Sequence, residues 1–486
     1  MKKIFALFLA IVMVFGMVAC GGKAEAERPT IVLAKPIWSD LPADAPANEL
    51  VRQAICEKFN VNLVIAGQQF PNDQDELPRT MISGGEQVDI INSVNWMQYV
   101  ESDSIIPLND LLESNGQDIL NNVLPGSLEL RTIDGKIWAV PYEQNPVSTC
   151  LLMRGDWLED IGAAVPTTID EYEQVMLKLK EEKGDVGYVP VYGELDDIFA
   201  GAFVENGSMN WVDADGKVKP AELAEGYEEY LAKMADWYQK GILHPEISSM
   251  DFQQAYDAFY GGQSSSAVNW LNSLEYCNAM GVAADENYSL VGVPPLSGEK
   301  ENFYQSMQNR GWGLVITSTC EHPELAMDII NYITAVDEGF LLTCYGVEGK
   351  QWKWADKANG IIGFDGINAD DILPCYGTET ALSGSWIVNV VNKYSTSIAD
   401  KEFIQWLNDP ATVNQKEAVD AMVAYDVGSM ASVDLHASLD AIFATAKWDI
   451  ITGARPASDW DSVIEEWLAA GGDQYIEDYT AQYNAG

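Results

Sequence analysis

Residues 132–159 read TIDGKIWAVPYEQNPVSTCLLMRGDWLE, and this stretch decides how the chain divides. The Asp134-Gly135 turn opens Ile137-Trp138-Ala139-Val140, an uncharged apolar run that reads as a strand buried on both faces and stopped by Pro141. After the polar, proline-flanked Tyr142-Glu143-Gln144-Asn145-Pro146, a second apolar run starts at Cys150 and ends in Arg154-Gly155-Asp156-Trp157. One strand leaves a first core and another enters a second. The segment between them reads as a crossover between lobes, with Tyr142, Glu143 and Asn145 exposed in the gap.

Strands alternate with helical patterns on both sides of this point. Thr30 to Lys35, Val61 to Ile65 and Val88 to Ile91 read as strands, and residues 48–59 have helical spacing. Beyond the crossover, Thr168 and Glu171 form a capping box before a helix whose apolar face carries Tyr172, Val175, Met176 and Leu179. Such alternation indicates mainly parallel sheets. In those sheets ligands sit beyond the carboxyl ends of the strands.

The segment "DGK-aromatic-x-x-P" followed by a strand and a "DWL" helix entry resembles the first hinge crossing of the extracellular solute-binding proteins of carbohydrate ABC importers. Tyr345-Gly346-Val347-Glu348-Gly349 is similar to the "YG-x-EG" signature of the larger, oligosaccharide-type lipoprotein members, with Lys350-Gln351-Trp352 departing from the aromatic position that usually follows. The resemblance covers most of the mature chain. It implies a two-lobe α/β fold of the periplasmic-binding-protein type II, each lobe a mainly parallel sheet flanked by helices, with three hinge crossings. The return crossings are expected at 290–295 and near Ala335 to Phe340. The lobes are then 29–144 plus 295–337 and 145–294 plus 338–486.

The N-terminus supports export. Lys2-Lys3, the apolar run from Ile4 to Val18 and Ala19-Cys20 read as a secretory leader. The Cys after Met17-Val18-Ala19 resembles a lipobox, with Met17 where Leu is usual, which implies lipidation at Cys20, a tether through residue 28 and a place on the outer face of the bacterial cytoplasmic membrane. A formal charge of -46 argues against nucleic acid and anionic lipid as partners. Contact with the membrane is expected through the lipid alone. The six remaining cysteines, Cys56, Cys150, Cys277, Cys320, Cys344 and Cys375, include no C-x-x-C and are read as free thiols ahead of disulfides.

Fifteen Trp and 21 Tyr are the informative excess, because several stand at strand ends. A neutral sugar offers an apolar ring face that aromatics cover and a rim of hydroxyls that polar side chains satisfy. Trp38, Trp96, Trp270 and Trp312 each have such neighbours: Asp40, Asn95, Asn269 and Arg310. Trp211, just before a turn at 213–217, joins the set. Any one of these could instead fill a core. Tyr142 and Glu143 are candidate hinge-proximal contacts, or a solvated turn. Arg310 could hold ligand or bridge the lobes, and Glu348 could bind a hydroxyl pair or cap a helix. Trp138, Trp406 and Trp467 are assigned to the core.

The competing classes are a secreted glycoside hydrolase and a binder of a peptide, polyamine or aromatic metabolite. A hydrolase needs two carboxylates at a set separation, which 74 acidic residues make trivial to propose, while no G-x-S-x-G, H-E-x-x-H or phosphate loop is present. The reading is a monomeric, non-enzymatic binding protein with no cofactor and no metal, delivering an oligosaccharide to ABC permease subunits. The Asp213-Ala214-Asp215-Gly216 pattern is read as a turn rather than a calcium loop.

Overall fold

The computed structural model describes residues 28–37, 44–69, 71, 73–143, 145–184, 186–191, 193–270, 281, 285, 287–306, 311–373, 387–419 and 433–485. Strand Thr30–Ile37 is buried from Ile31 onward, which places it inside a sheet covered on both faces. It pairs in parallel with Asn62–Gln69 on one side and Ile90–Ser93 on the other. Gly313–Ile316 runs antiparallel against Ile90–Ser93, and Val140–Pro141 antiparallel against Gly313–Ile316, completing five strands. The second sheet has the order Leu290–Gly292, Thr149–Arg154, Ser266–Trp270, Val189–Pro190. There Thr149–Arg154 is antiparallel to both neighbours, while Ser266–Trp270 and Val189–Pro190 are parallel. Each sheet therefore holds one reversed internal strand. In both cases it is the first strand after the chain arrives from the other lobe.

The expected strand at 137–140 is broken up. Lys136–Ile137 closes a small hairpin with Thr132–Ile133, and the sheet strand is Val140–Pro141, with Pro141 opposite Gly313. A proline fits because this is the sheet's edge, where its missing N–H removes no ladder bond.

Two large, separate cores confirm the two-lobe architecture and move its boundaries. Ile31, Leu33, Val51, Ile55, Ile90, Leu314 and Ile330 share one core with Phe340, Tyr345, Trp352, Ile362, Ile387 and Val390. Leu151, Tyr172, Phe199, Trp237 and Val268 share the other with Leu296, Tyr304, Leu407, Phe443 and Trp467. Residues 338–373 and 387–394 were expected in the second lobe and 295–304 in the first, and the packing reverses both; residues 374–386 lie outside the described residues. The chain returns between Ser306 and Gly313 and leaves again between Tyr394 and Phe403. Helix Asp337–Tyr345 buries Phe340, Leu341, Thr343, Cys344 and Tyr345, so it has no broad polar face and its pattern does not say which core receives it.

Helix Ile169–Lys183 starts where its cap predicts. Thr168 Oγ1 accepts from the Glu171 N–H at 3.1 Å, while the Glu171 carboxylate turns to the N–H and hydroxyl of Thr167, one residue earlier than a capping box requires. Its Glu173 accepts from Lys233 at 2.6 Å, Lys240 at 2.5 Å and the Trp237 indole at 3.0 Å. Burial alone would raise this carboxyl, but the two ammonium groups and the indole hold it at about 2. A folded-state value depressed below the unfolded one stabilises the fold above the unfolded pKa and loses that contribution as pH falls toward the folded value. Melting temperatures measured from pH 5 down to pH 2.5 should therefore fall less steeply for Glu173→Gln than for the parent.

Cys56, Cys150 and Cys344 are buried free thiols and Cys320 is a half-buried one. Cys20, Cys277 and Cys375 lie outside the described residues. Asp213 is occupied by a turn, as its sequence indicates: one oxygen accepts from the Asp215 and Lys217 N–H groups at 2.9 Å, and the other lies 2.7 Å from Lys219.

Candidate functional site: the interlobe crossings

The first crossing runs from Pro141 to Thr149, and hydrogen bonds tie it down at Tyr142, Glu143, Asn145 and Val147. The Tyr142 N–H donates to the Trp312 carbonyl at 3.0 Å, and the Arg131 guanidinium donates to the same oxygen at 3.0 Å. Glu143 was expected in open solvent and is 4 % exposed. One of its oxygens accepts from the Leu124 N–H at 2.7 Å and the other from the Val388 N–H at 2.9 Å. Burial lifts its carboxyl above the ordinary range, and the Ser127 hydroxyl, those two amides and Arg131 oppose the lift. Asn145, also 4 % exposed, makes a reciprocal amide pair with Asn392. The Val147 N–H donates to Asn408 at 2.9 Å. Segment 387–394 therefore packs against the crossing and fills the space that the sequence reading left to solvent.

Trp270 closes strand Ser266–Trp270 and pairs with Thr149, the first strand residue after the crossing. Tyr142, Trp270 and Trp312 are half-buried, and all three border the points where the chain changes lobes. Asn269 is not a free rim group. It is 2 % exposed, with Nδ2 donating to the Tyr260 hydroxyl at 2.5 Å and Oδ1 accepting from the Trp270 N–H at 2.7 Å. It positions the strand end.

Four further candidates stand elsewhere. Trp96 is 1 % exposed within a small core of Ala34, Val88, Ile91, Tyr99 and Val315, because helix Trp96–Glu101 begins at it and turns the indole beneath the sheet. Asn95 is engaged by Asp75 at 2.8 Å and by the Ser93 hydroxyl at 3.0 Å. Trp211 donates to the Pro220 carbonyl at 3.1 Å in a hairpin whose Val218 N–H is bound to Thr480, so it belongs to the flank of the second lobe. Glu348 is an exposed turn residue of the first lobe. Trp38 and Arg310 lie outside the described residues. Of the core assignments, Trp467 is fully buried, and Trp138 and Trp406 pack partly buried against the cores.

The glutamine noted above as a departure from the family signature has a role that sequence did not reveal. Gln351 is 0 % exposed; its Oε1 accepts from the Val347 N–H at 2.9 Å, and its Nε2 donates to the Ala47 carbonyl at 3.2 Å and the Asp371 carbonyl at 2.9 Å. The Trp352 indole donates to the Gly346 carbonyl at 2.7 Å. Gly346 has φ of 94°, and a Cβ there would meet the Gln351 side chain at 2.5 Å, so the turn needs glycine.

Two sheets with separate cores, a first crossing anchored at 142–147 and half-buried aromatics beside it fit a hinged two-lobe binding protein. The chain belongs to the bacterial extracellular solute-binding protein family, which it matches over residues 39–339. It is 22% identical to the lipoprotein LipO of Bacillus subtilis, a likeness covering 100% of this chain and 98% of that protein. It is 23% identical to a carbohydrate ABC transporter substrate-binding protein of Streptococcus pneumoniae, covering 84% of each. Among solved structures, the N-glycan transport solute-binding protein NgtS of Streptococcus pneumoniae superposes with a TM-score of 0.69 at 17% identity, covering 94% of this chain and 99% of that one.

Proposed function

We propose that this chain is the lipid-anchored substrate-binding subunit of an ABC importer, held at the outer face of the membrane through Cys20, and that it captures an oligosaccharide by closing its lobes. The carrying observation is that Tyr142, Trp270 and Trp312 stand half-buried where the chain crosses between lobes. Ring faces at such a seam suit the apolar face of a sugar. Ligand contacts made from both lobes would favour the shut form, which the permease then recognises. The relatives aligned along most or all of this chain, a lipoprotein and a carbohydrate ABC transporter substrate-binding protein, support this reading. The protein acts without catalysis, as a monomer, and needs no cofactor.

Calorimetry across defined plant, host and microbial oligosaccharides tests the proposal, with Trp270→Ala as the diagnostic variant. Loss of a central aromatic contact costs about 2 kcal/mol or more, so affinity should fall roughly 10- to 100-fold while the melting temperature without ligand stays near that of the parent. Hydrolysis of any bound glycan, or unchanged affinity in the variant, would count against the assignment.

A further inference from the structure

A cavity lies wholly within the second lobe. It encloses about 280 Å³ between the loop at 208–222 and helices Tyr227–Lys240, Val433–Ile451, Trp460–Trp467 and Asp473–Ala485. Tyr227, Phe443, Trp467 and Tyr475, all buried, contribute aromatic walls. Asp440 and Ala444 are exposed, which puts the mouth along that face of helix Val433–Ile451. Glu222 is densely surrounded by protein yet keeps some accessible surface, because the cavity lies against it.

The charges around this space do not balance. Lys447 is committed to Asp196 at 3.2 Å, and Asp196 also accepts from the Tyr227 and Tyr230 hydroxyls at 2.8 and 2.6 Å. That pair cancels itself. Glu222 and Asp440 remain, and among the described residues neither has a cation in ion-pair contact; His436, one helical turn before Asp440, is engaged by Asp478 at 3.0 Å. Glu222 has only its own N–H and the more distant charge of Lys447 to favour its ionised form; a crowded carboxylate with no ion pair gains from a cation, and aromatic faces attract cations most strongly where water is scarce.

We infer that this cavity is a binding site for a small organic cation, a protonated amine whose hydrocarbon part contacts the Tyr227, Phe443 and Trp467 rings while its ammonium group is held by Glu222 and Asp440. The site is distinct from the interlobe seam and does not depend on the carbohydrate reading. Burial pushes the Glu222 carboxyl up to about 7, with Asp196 and Asp440 adding to the rise and Lys447 opposing it. A bound ammonium favours the ionised form, so binding near pH 7 should expel a fraction of a proton, about half of one.

The test uses the exported protein with cyclohexylammonium and its uncharged counterpart cyclohexanol. Calorimetry at pH 7 in buffers of different ionisation enthalpy should show cyclohexylammonium binding with proton release, and cyclohexanol binding at least tenfold more weakly. Glu222→Gln should weaken the ammonium at least tenfold and abolish the proton release, leaving oligosaccharide affinity unchanged. Ala444→Leu, at the exposed mouth, should block entry without touching either carboxylate, which covers the case of a Glu222→Gln protein that fails to fold. Equal binding of the alcohol, or full ammonium affinity in either folded variant, overturns the site.

Discussion

Glu143→Ala is expected to lower stability by about 3–5 kcal/mol, read from the denaturant midpoint. The variant strips the side-chain acceptor of two N–H groups, Leu124 and Val388, at a place where the native glutamate is 4 % exposed. Each orphaned buried donor costs roughly 1–3 kcal/mol. Glu143→Gln keeps one acceptor oxygen and should lose distinctly less. Acid titration gives a second readout. Because burial raises the folded-state pKa above the unfolded value, this group's contribution is greatest below the unfolded pKa and falls as pH rises through the folded one. The alanine variant should lack that rise in stability on acidification. Since the clamp joins the first crossing to segment 387–394, the variant should also change ligand affinity; a protein of parental stability and affinity would show that the crossing is held by other means.

Gln351→Ala should cost about 3–4 kcal/mol. It leaves the Val347 N–H and the Ala47 and Asp371 carbonyls without their side-chain partner and opens a void in a fully buried position. These partners all belong to the first lobe, so its unfolding should separate from that of the second lobe and split the calorimetric transition in two. Glu348→Ala, three residues away and exposed, should melt with the parent. A single, unshifted transition in Gln351→Ala would show that the Gln351 hydrogen bonds do not hold the first lobe together.

How far the sequence could be read depended on whether the partner was local. The Thr168 cap, the Asp213 turn and the passage between lobes after Pro141 are governed by residues a few positions apart, and all three appear where patterning puts them. Glu143 was read as exposed because its second amide partner lies 245 residues downstream, beyond the reach of any periodicity. Trp96 and Trp270 look alike in sequence, each an aromatic after an asparagine near a strand end. One opens a helix and folds under the sheet, whereas the other is the last residue of its strand beside the crossing. The displaced lobe boundary has a similar origin. Helix Asp337–Tyr345 is apolar enough to suit either core, and only the third dimension assigns it.

The reversed strand inside each sheet has a consequence for synthesis. Gly313–Ile316 separates Ile90–Ser93 from Val140–Pro141, so the half of the molecule translated first stays split until the ribosome has passed residue 316, and its packing still awaits Val390. The later half, although begun at Thr149, awaits helices near the C-terminus. Neither piece can settle early, and the nascent polypeptide should remain open and vulnerable to proteases until nearly all of it has been made.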